Sequence, residues 1–304
     1  MSQLSNKALE KPADVQQNVL ADSPRGYKQI SEAVSTSTTP FMGTTIGLCN
    51  NFKLKEILTS LPTLSPRIIA QRSLPLLDFT RLDEFDDLAT INELCQNPAV
   101  QNSQVAAVCV YPQFVEFAYQ QLKTTQVKLA TVANFPYGDQ PLGQVEQEIN
   151  HSLAGGANEI DVVIPYQRIM AGDIQSSINL LQACRMICRQ HTLKVILETG
   201  VLKTPELILQ ASELAIQSGA NFLKTSTGKS RVNATLEAAA LMLLSIKESG
   251  RVIGFKASGG IQTLEQAGQY LALADYIMGK DWVSPQSFRF GASRLLTAIV
   301  AELS

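Results

Sequence analysis

The feature that most constrains the fold is a pattern that repeats eight times from Leu74 onward. A short apolar run, often rich in Val and Ile, is followed by a longer stretch of helical periodicity and then by the next run. Short runs of this kind favour strands buried in a parallel sheet. The pattern predicts strands at Leu74–Phe79, Val105–Val110, Val127–Val132, Glu159–Ile164, Leu193–Glu198, Phe222–Ser226, Val252–Ala257 and Tyr276–Met278.

Eight such units predict an α/β protein with a closed (β/α)8 TIM barrel. They span about 230 residues, close to the ~250 of a typical barrel of this type. The competing fold is an open, doubly wound sheet, which would carry a G-x-G-x-x-G after its first strand, and this chain has none there. We therefore expect residues 73–304 to form the barrel, with its chemistry at the carboxyl ends of the strands.

The residues before the barrel divide into two parts. Residues 1–45 are rich in Ser, Thr, Gln and Asn and have no sustained apolar period, which predicts a largely disordered extension. Residues 46–72 predict a helical lead-in, because Leu54, Ile57 and Leu61 recur at near-helical spacing.

Composition argues against several classes of protein. The formal net charge of −2 predicts no nucleic-acid or anionic-membrane partner. No apolar run approaches the ~20 residues that span a bilayer, and the first 22 residues lack the apolar block of a secretory signal. Five cysteines without a C-x-x-C pair and only two histidines leave little material for a disulfide framework or a metal site. We expect a cytoplasmic protein without a metal.

Three charged residues interrupt apolar runs and are the first candidates for chemistry. Lys224 and Lys256 lie near the ends of neighbouring strands six and seven, so their ammonium groups should approach one another. Burial and a nearby like charge both lower the pKa of a lysine, and carbonyl attack requires a neutral amine. Asp161 in strand four should be buried and paired, either moving protons or forming a structural ion pair. Lys194 precedes its apolar run, which predicts a place at the opposite end of the barrel.

Glycine-rich loops after the later strands suit an anion. Gly259-Gly260 follows strand seven, and Gly291-Ala292-Ser293 is predicted to open the last helix after strand eight. Barrels often bind phosphate with these two loops and a helix N-terminus, and Gly228-Lys229 could add a cation. The alternative is that the glycines only permit tight turns.

Further polar candidates lie at the ends of the first two strands. Asp78 and Thr80 end strand one, where they could form the wall of a site or cap a helix. Cys109 ends strand two and could line a pocket, although a buried cysteine usually packs as a small apolar residue.

Taken together, these segments resemble deoxyribose-phosphate aldolase, a family of class I, Schiff-base aldolases, from about Leu74 to the C-terminus. The segments that carry the resemblance are Leu77-Asp78-Phe79-Thr80, Cys109-Val110-Tyr111-Pro112, Asn134-Phe135-Pro136, Glu159-Ile160-Asp161-Val162-Val163, Val195-Ile196-Leu197-Glu198-Thr199, Lys224-Thr225-Ser226-Thr227-Gly228-Lys229, Gly254-Phe255-Lys256-Ala257-Ser258-Gly259-Gly260 and Phe288-Arg289-Phe290-Gly291-Ala292-Ser293.

The resemblance implies a cytoplasmic enzyme of deoxynucleoside breakdown that needs no cofactor. Its reaction is the reversible cleavage of 2-deoxy-D-ribose 5-phosphate to D-glyceraldehyde 3-phosphate and acetaldehyde. By this resemblance Lys224 forms the Schiff base, Lys256 is its proton-relay partner and Asp161 is the acidic member. The substrate-binding residues would be Asp78, Thr80, Cys109, Thr227, Gly228, Lys229, Gly259, Gly260, Gly291, Ala292 and Ser293. The family's habit indicates a monomer or a homodimer.

The chain departs from its relatives at two positions near the predicted phosphate loops. Gln262 stands where many relatives carry Arg or Lys, and Arg294 stands where Ser is frequent. Two other readings stay open. One is another barrel aldolase or isomerase of phosphorylated sugars, and the other is a catalytically idle barrel that binds a sugar phosphate as a sensor.

Overall fold

The computed structural model describes residues 51–96, 99–100 and 103–304, including the side chains of residues 54–96 and 103–304. The predicted disordered extension, residues 1–45, and the first residues of the predicted lead-in lie outside the described residues.

Eight parallel strands close into a barrel, which confirms the predicted fold class. Each strand pairs in parallel with the next, and β8 closes the ring by pairing with β1, for example at Leu77 opposite Phe290. The strands are β1 (Leu77–Thr80), β2 (Ala107–Val110), β3 (Lys128–Ala133), β4 (Glu159–Val163), β5 (Thr192–Ile196), β6 (Phe222–Lys224), β7 (Gly254–Ser258) and β8 (Phe288–Ala292).

Helices surround the barrel and bury the outward faces of its strands. The described helices are α1 (Asn51–Thr59), α2 (Pro66–Ser73), α3 (Leu88–Gln96), α4 (Val115–Leu122), α5 (Leu142–Ala154), α6 (Tyr166–Met170), α7 (Ile174–Ile187), α8 (Thr199–Leu202), α9 (Pro205–Gln217), α10 (Leu236–Ser249), α11 (Leu264–Met278) and α12 (Leu295–Leu303). Most of the buried Leu, Ile, Val and Phe side chains form one continuous core between the two layers.

The barrel interior differs from this outer core because side chains alternate between the two faces of a strand. On β2 and β3 the inward positions carry small residues, and Ala107, Cys109, Ala130 and Val132 form a separate apolar cluster. The inward positions of the remaining strands carry mostly charged or polar side chains. Small residues on one half of the interior leave room for long charged side chains from the other half.

The predicted eighth strand, Tyr276–Met278, is wrong. These residues form the last turn of α11, whose fifteen residues begin with a capping box between Thr263 and Gln266. The eighth strand is Phe288–Ala292. A short apolar run cannot by itself be assigned to a strand or to a buried helix, and Arg289 interrupts the apolar pattern of the real strand. Gly291 and Ala292 therefore end β8, and the last helix begins only at Leu295.

Before the barrel, α1 and α2 cover part of its helical layer. Pro66 occupies the first helical position of α2, where its missing N–H costs nothing. Ile69 of α2 is buried, and Arg72 forms a two-pronged ion pair with Asp275 of α11, with both N–O distances at 2.7 Å. Within the described residues, no helix combines the length and the apolar character that a bilayer span needs.

The short helix α8, which follows β5, leaves no room for a side chain at Gly200. A β-carbon built there would lie 1.8 Å from the carbonyl oxygen of Val232. We expect Gly200→Ala to lower the free energy of unfolding by about 2 kcal/mol or more, because overpacking against backbone forces the chain apart. Gly143→Ala is the matched control, since nothing lies within 4 Å of its added β-carbon. Urea denaturation of both variants tests this, and equal stabilities would contradict it.

Candidate active site

The two lysines singled out in the sequence lie side by side in the barrel. Lys224 is the last residue of β6, Lys256 is the middle residue of β7, and they are register partners in the parallel ladder. Both side chains are fully buried, with 1% and 0% of their surface exposed. Neither ammonium group reaches solvent in the way a strand-end lysine does when it snorkels to water.

Asp161 joins the two lysines. Its Oδ2 atom lies 2.9 Å from Nζ of Lys224 and 2.8 Å from Nζ of Lys256. Asp161 lies in the middle of β4 and faces the interior, fully buried. The structure therefore brings together the three residues predicted to be catalytic around one carboxylate oxygen.

The prediction that Lys194 lies at the opposite end of the barrel is wrong. Lys194 lies within β5 as the register partner of Asp161, and its Nζ atom is 2.7 Å from Oδ1 of Asp161. The same ammonium is 2.6 Å from a carboxylate oxygen of Glu159. The strand begins earlier than its apolar run, because a buried partner lets a lysine occupy an inward position. Asp161 on the neighbouring strand was the signal that could have revealed it.

Arg289 and Asp78 complete this buried layer of charge. Nη1 of Arg289 lies 2.5 Å from Oδ1 of Asp78, and Nη2 lies 3.1 Å from Glu159. Oδ2 of Asp78 accepts a hydrogen bond from Lys256. Sequence reasoning missed Arg289, Glu159 and Lys194, although all three are charged residues at the inward positions of strands.

The charges in this layer do not balance if every group is ionised. Four basic side chains, Lys194, Lys224, Lys256 and Arg289, meet three carboxylates, those of Asp78, Glu159 and Asp161. Burying a charge without a counter-ion is costly, and the usual response is to lose or gain a proton.

Lys224 is the lysine of this layer with the fewest carboxylates to stabilise its protonated form. It has one carboxylate partner, whereas Lys256 contacts two and Lys194 contacts three. Lys224 is therefore the group in this layer that loses its proton most readily.

The direction of the pKa shifts agrees with this count. Burial lowers the pKa of Lys224, Asp161 opposes that effect, and the nearby Lys256 ammonium lowers the pKa further, with a net decrease. Burial also acts on Lys256, but Asp161 and Asp78 outweigh it and raise its pKa. The pKa of Asp161 is held well below its usual value, against the effect of burial, by the three lysines around it. Burial lowers the pKa of Lys224 more than the Lys256 ammonium does.

A cavity of about 730 Å³ opens at the carboxyl ends of the strands. Nine of the eleven predicted substrate-binding residues line it, namely Thr80, Thr227, Gly228, Lys229, Gly259, Gly260, Gly291, Ala292 and Ser293. The other two, Asp78 and Cys109, are fully buried and do not line it. Asp78 belongs to the charged layer, and burial raises the pKa of the Cys109 thiol, which keeps it protonated.

The charged layer lies directly beneath this cavity. Ser258 lines the cavity, and Lys256, two residues earlier in β7, faces the same way one level deeper. A β-carbon added to Gly291 in the cavity wall would lie 2.8 Å from Cε of Lys256. Only glycine fits at position 291, because Ser258 Oγ and the Lys256 side chain pack directly against its α-carbon.

The mouth of the cavity carries a mixture of charges. Lys229, Arg81 and Arg294 line it together with Asp83 and Glu93. Nη1 of Arg294 lies 3.4 Å from the side-chain oxygen of Gln262, so the two residues that depart from the relatives' pattern are neighbours.

The sequence of this chain matches a known family of aldolases over most of the barrel. The model of the DeoC/LacD family aldolases matches residues 77–293, from the first residue of β1 to the residue after β8. The chain belongs to this family. The aldolase is therefore a lyase that acts on small molecules, and its lysine layer and cavity lie inside the matched region.

This aldolase is similar to several solved structures, and in each case below the match covers nearly the whole of the other chain. A provisionally assigned deoxyribose-phosphate aldolase from Coccidioides immitis is 25% identical, with a TM-score of 0.70 over 84% of this chain and 96% of that one. Another, from Toxoplasma gondii ME49, is 25% identical, with a TM-score of 0.72 over 78% and 96%. The tetrameric deoxyribose phosphate aldolase of Aeropyrum pernix, 21% identical with a TM-score of 0.64 over 82% and 96%, shares the fold.

The surplus of one base in the buried layer has a measurable consequence for stability. We expect Lys224→Met to keep the free energy of unfolding within about 1 kcal/mol of the wild type, or to raise it, because no buried counter-ion is left unpaired. Asp78→Asn, of nearly the same shape as the wild type, should lower it by about 3–5 kcal/mol, because it leaves Arg289 and Lys256 under-compensated. Denaturant titrations at neutral pH compare them; a larger loss for Lys224→Met would refute the charge count.

Proposed function

We propose that this aldolase reversibly cleaves 2-deoxy-D-ribose 5-phosphate to D-glyceraldehyde 3-phosphate and acetaldehyde, through a Schiff base on Lys224. The observation that carries the proposal is the position of Lys224. It is the buried base with a single carboxylate partner, its pKa is lowered, and it lies beneath a cavity at the carboxyl end of the barrel. A neutral amine in such a place is suited to attack on an aldehyde carbon.

In the proposed mechanism, the lone pair of Lys224 attacks C1 of the open-chain sugar to form a carbinolamine. Loss of water from the carbinolamine yields an iminium ion. Removal of the C3 hydroxyl proton makes C3 a carbonyl carbon, and the electrons of the C2–C3 bond pass into the iminium as an enamine. Glyceraldehyde 3-phosphate leaves, the enamine is protonated at C2, and hydrolysis of the imine releases acetaldehyde and the free amine.

In this proposal, Lys256 and Asp161 move these protons. Asp161 touches both lysines through the same oxygen, so a proton leaving the carbinolamine has an acceptor within hydrogen-bond distance of Lys224. Lys194 holds the other oxygen of Asp161. That contact orients the carboxylate and keeps it ionised.

The glycine-rich wall of the cavity suits the phosphate end of the substrate. Gly259 and Gly260 both have positive φ angles and present backbone to the cavity, and Lys229 and Arg294 add positive charge at its mouth. The four described cysteines are free and buried, which suits a reducing compartment. The proposed setting is therefore deoxynucleoside breakdown in the cytoplasm.

Turnover and trapping test the proposal together. Purified protein with 2-deoxy-D-ribose 5-phosphate should release acetaldehyde, measured by a coupled alcohol dehydrogenase assay. Acetaldehyde with cyanoborohydride should leave an ethyl group on Lys224. That modification blocks tryptic cleavage, so mass spectrometry should find the ethylated peptide spanning residues 204–229.

The variant Lys224→Met serves as the control for both measurements. It should lose turnover by about a thousandfold or more, the scale seen when a covalent nucleophile is removed, and it should give no adduct in this peptide. A folded wild type that traps no acetaldehyde would leave the isomerase or the sensor as the better function. Trapping without release of acetaldehyde from the sugar phosphate would indicate an aldolase with another substrate.

The pH dependence of imine formation should show how the positive charge of Lys256 affects the pKa of Lys224. Lys256 lowers the pKa of Lys224 and competes with it for Asp161. Lys256→Met removes both effects, so the pKa of Lys224 rises and less of the amine is neutral at a given pH. We expect the acidic limb of adduct formation to move to higher pH, as measured by the yield of the ethylated peptide across a pH series.

Lys256→Arg is the matched variant because it keeps the positive charge and loses the proton-transfer role. Its acidic limb should stay near that of the wild type even though its turnover falls. Coincident limbs for Lys256→Met and Lys256→Arg would show that this charge does not control Lys224.

A further inference from the structure

Glu198 is a buried carboxyl group that the mechanism above does not use. It follows β5 and is fully shielded from solvent. Its φ angle of +56° lies in the left-handed region, which is uncommon for a residue other than glycine. Strained backbone of this kind persists only where surrounding contacts hold it, and it is concentrated at functional sites.

Two hydrogen bonds join Glu198 to Thr227, a residue of the cavity wall. The Oε2 atom of Glu198 accepts hydrogen bonds from both the backbone N–H and the hydroxyl group of Thr227. Ser230 gives the carboxyl group a further side-chain hydrogen bond. No basic side chain among the described residues forms an ion pair with Glu198. Burial raises its pKa, against the effects of the hydrogen bonds from Thr227 and Ser230 and of the nearby Lys224.

Thr227, which Glu198 holds by two hydrogen bonds, is also bonded to the turn that follows it. Its hydroxyl oxygen accepts a hydrogen bond from the backbone N–H of Lys229 at 3.0 Å. Gly228, between them, has a φ angle of +85°. All three residues line the cavity, so the hydroxyl of Thr227 connects Glu198 to a tight turn in the wall.

The backbone around Glu198 is tied to the same region. The N–H of Leu197 donates to the carbonyl of Lys224, and the N–H of Thr199 donates to that of Thr225, both at 2.9 Å. The segment that carries Glu198 is thus anchored to the end of β6 immediately before the turn. The backbone on both sides of Glu198 is therefore fixed by hydrogen bonds, which hold its carboxyl group against Thr227.

We propose that Glu198 is a positioning residue that holds the turn of Thr227, Gly228 and Lys229 in the shape that receives the phosphate group of the substrate. The proposal rests on the proposed function, because it assigns this wall to a phosphorylated substrate. Glu198 itself does not line the cavity, so it acts through Thr227.

Glu198 forms no ion pair with the lysine layer, and the effect of Lys224 on its pKa ranks below those of burial and of the hydrogen bonds from Thr227 and Ser230. Lys224, Lys256 and Asp161 are held by ion pairs among themselves and with Lys194 and Asp78, and none of these bonds involves Glu198. Loosening the turn should therefore weaken substrate binding and leave the chemical step intact. An acid or base at Glu198 would give the opposite pattern.

The test is a comparison of KM and kcat for 2-deoxy-D-ribose 5-phosphate. Glu198→Ala should raise KM about tenfold or more, the effect of losing a hydrogen bond to a charged group, with kcat within about twofold. Glu198→Gln keeps a side-chain oxygen that accepts both bonds from Thr227 and should recover most of the loss. Thr227→Val should reproduce the Glu198→Ala effect. The double variant should be little worse than either single one, because both break the same connection.

Glu213→Ala is the control for removal of a partly buried glutamate. Glu213 lies on α9, where its carboxylate accepts a hydrogen bond from Gln217, and it should keep the KM of the wild type. If Glu198→Ala does not fold, Thr227→Val carries the test. A fall in kcat with unchanged KM, or a Glu198→Gln variant as impaired as Glu198→Ala, would overturn the proposal.

Binding of inorganic phosphate keeps this inference distinct from the proposed reaction. Isothermal titration should show weaker phosphate binding to Glu198→Ala and Thr227→Val than to the wild type, whether or not the sugar is cleaved. Absence of turnover with normal phosphate binding in the wild type would refute the reaction and leave the positioning role testable. Equal phosphate affinity in all variants would refute the positioning role and leave the reaction standing.

Discussion

One carboxylate at the centre of the barrel carries the organisation of this aldolase. Asp161 is shared by three ammonium groups, with Lys194 on one oxygen and Lys224 and Lys256 on the other. Without these partners a carboxylate at this depth would take up a proton, and without Asp161 the lysines would repel one another. The bases in this layer outnumber the acids by one. Lys224, which has a single carboxylate partner, is the lysine of the layer whose pKa is lowered.

The barrel provides this arrangement through the alternation of its strands. Outward positions carry the Leu, Ile, Val and Phe side chains that pack against the helices, and inward positions carry the charges. Small inward residues on β2 and β3 leave space for the long side chains from the opposite half. The charged layer lies one level below the cavity, and Gly291 in the cavity wall lets the Lys256 side chain pack directly against it. The amine of Lys224 is thus buried away from water, and the wall of the cavity above it includes the turn beside Glu198.

Periodicity predicted the barrel because eight alternating units close in few other ways, and it placed seven of the eight strands. It failed at the eighth, since Tyr276–Met278 is apolar in a helix as it would be in a strand, while Arg289 concealed the strand at Phe288–Ala292. Lys224 and Lys256 could be identified from the sequence because each interrupts the apolar run of its strand and the two strands are neighbours. The position of Lys194 was predicted wrongly because a lysine at the edge of an apolar run is taken as the end of a strand. Its pairing with Asp161 explains why it lies in the barrel interior.

The sequence by itself determined the order of strands and helices, the identity of the two neighbouring lysines, and the glycine-rich turn at Gly259-Gly260, because these follow from local patterns along the chain. Only the tertiary structure decided how the buried charges are distributed. Asp78, Glu159, Lys194 and Arg289 lie far apart in sequence, and closure of the barrel alone brings them within ion-pair distance. The protonation state of a buried amine depends on the sum of burial and of all nearby charges, and that sum exists only once the ring of strands is closed.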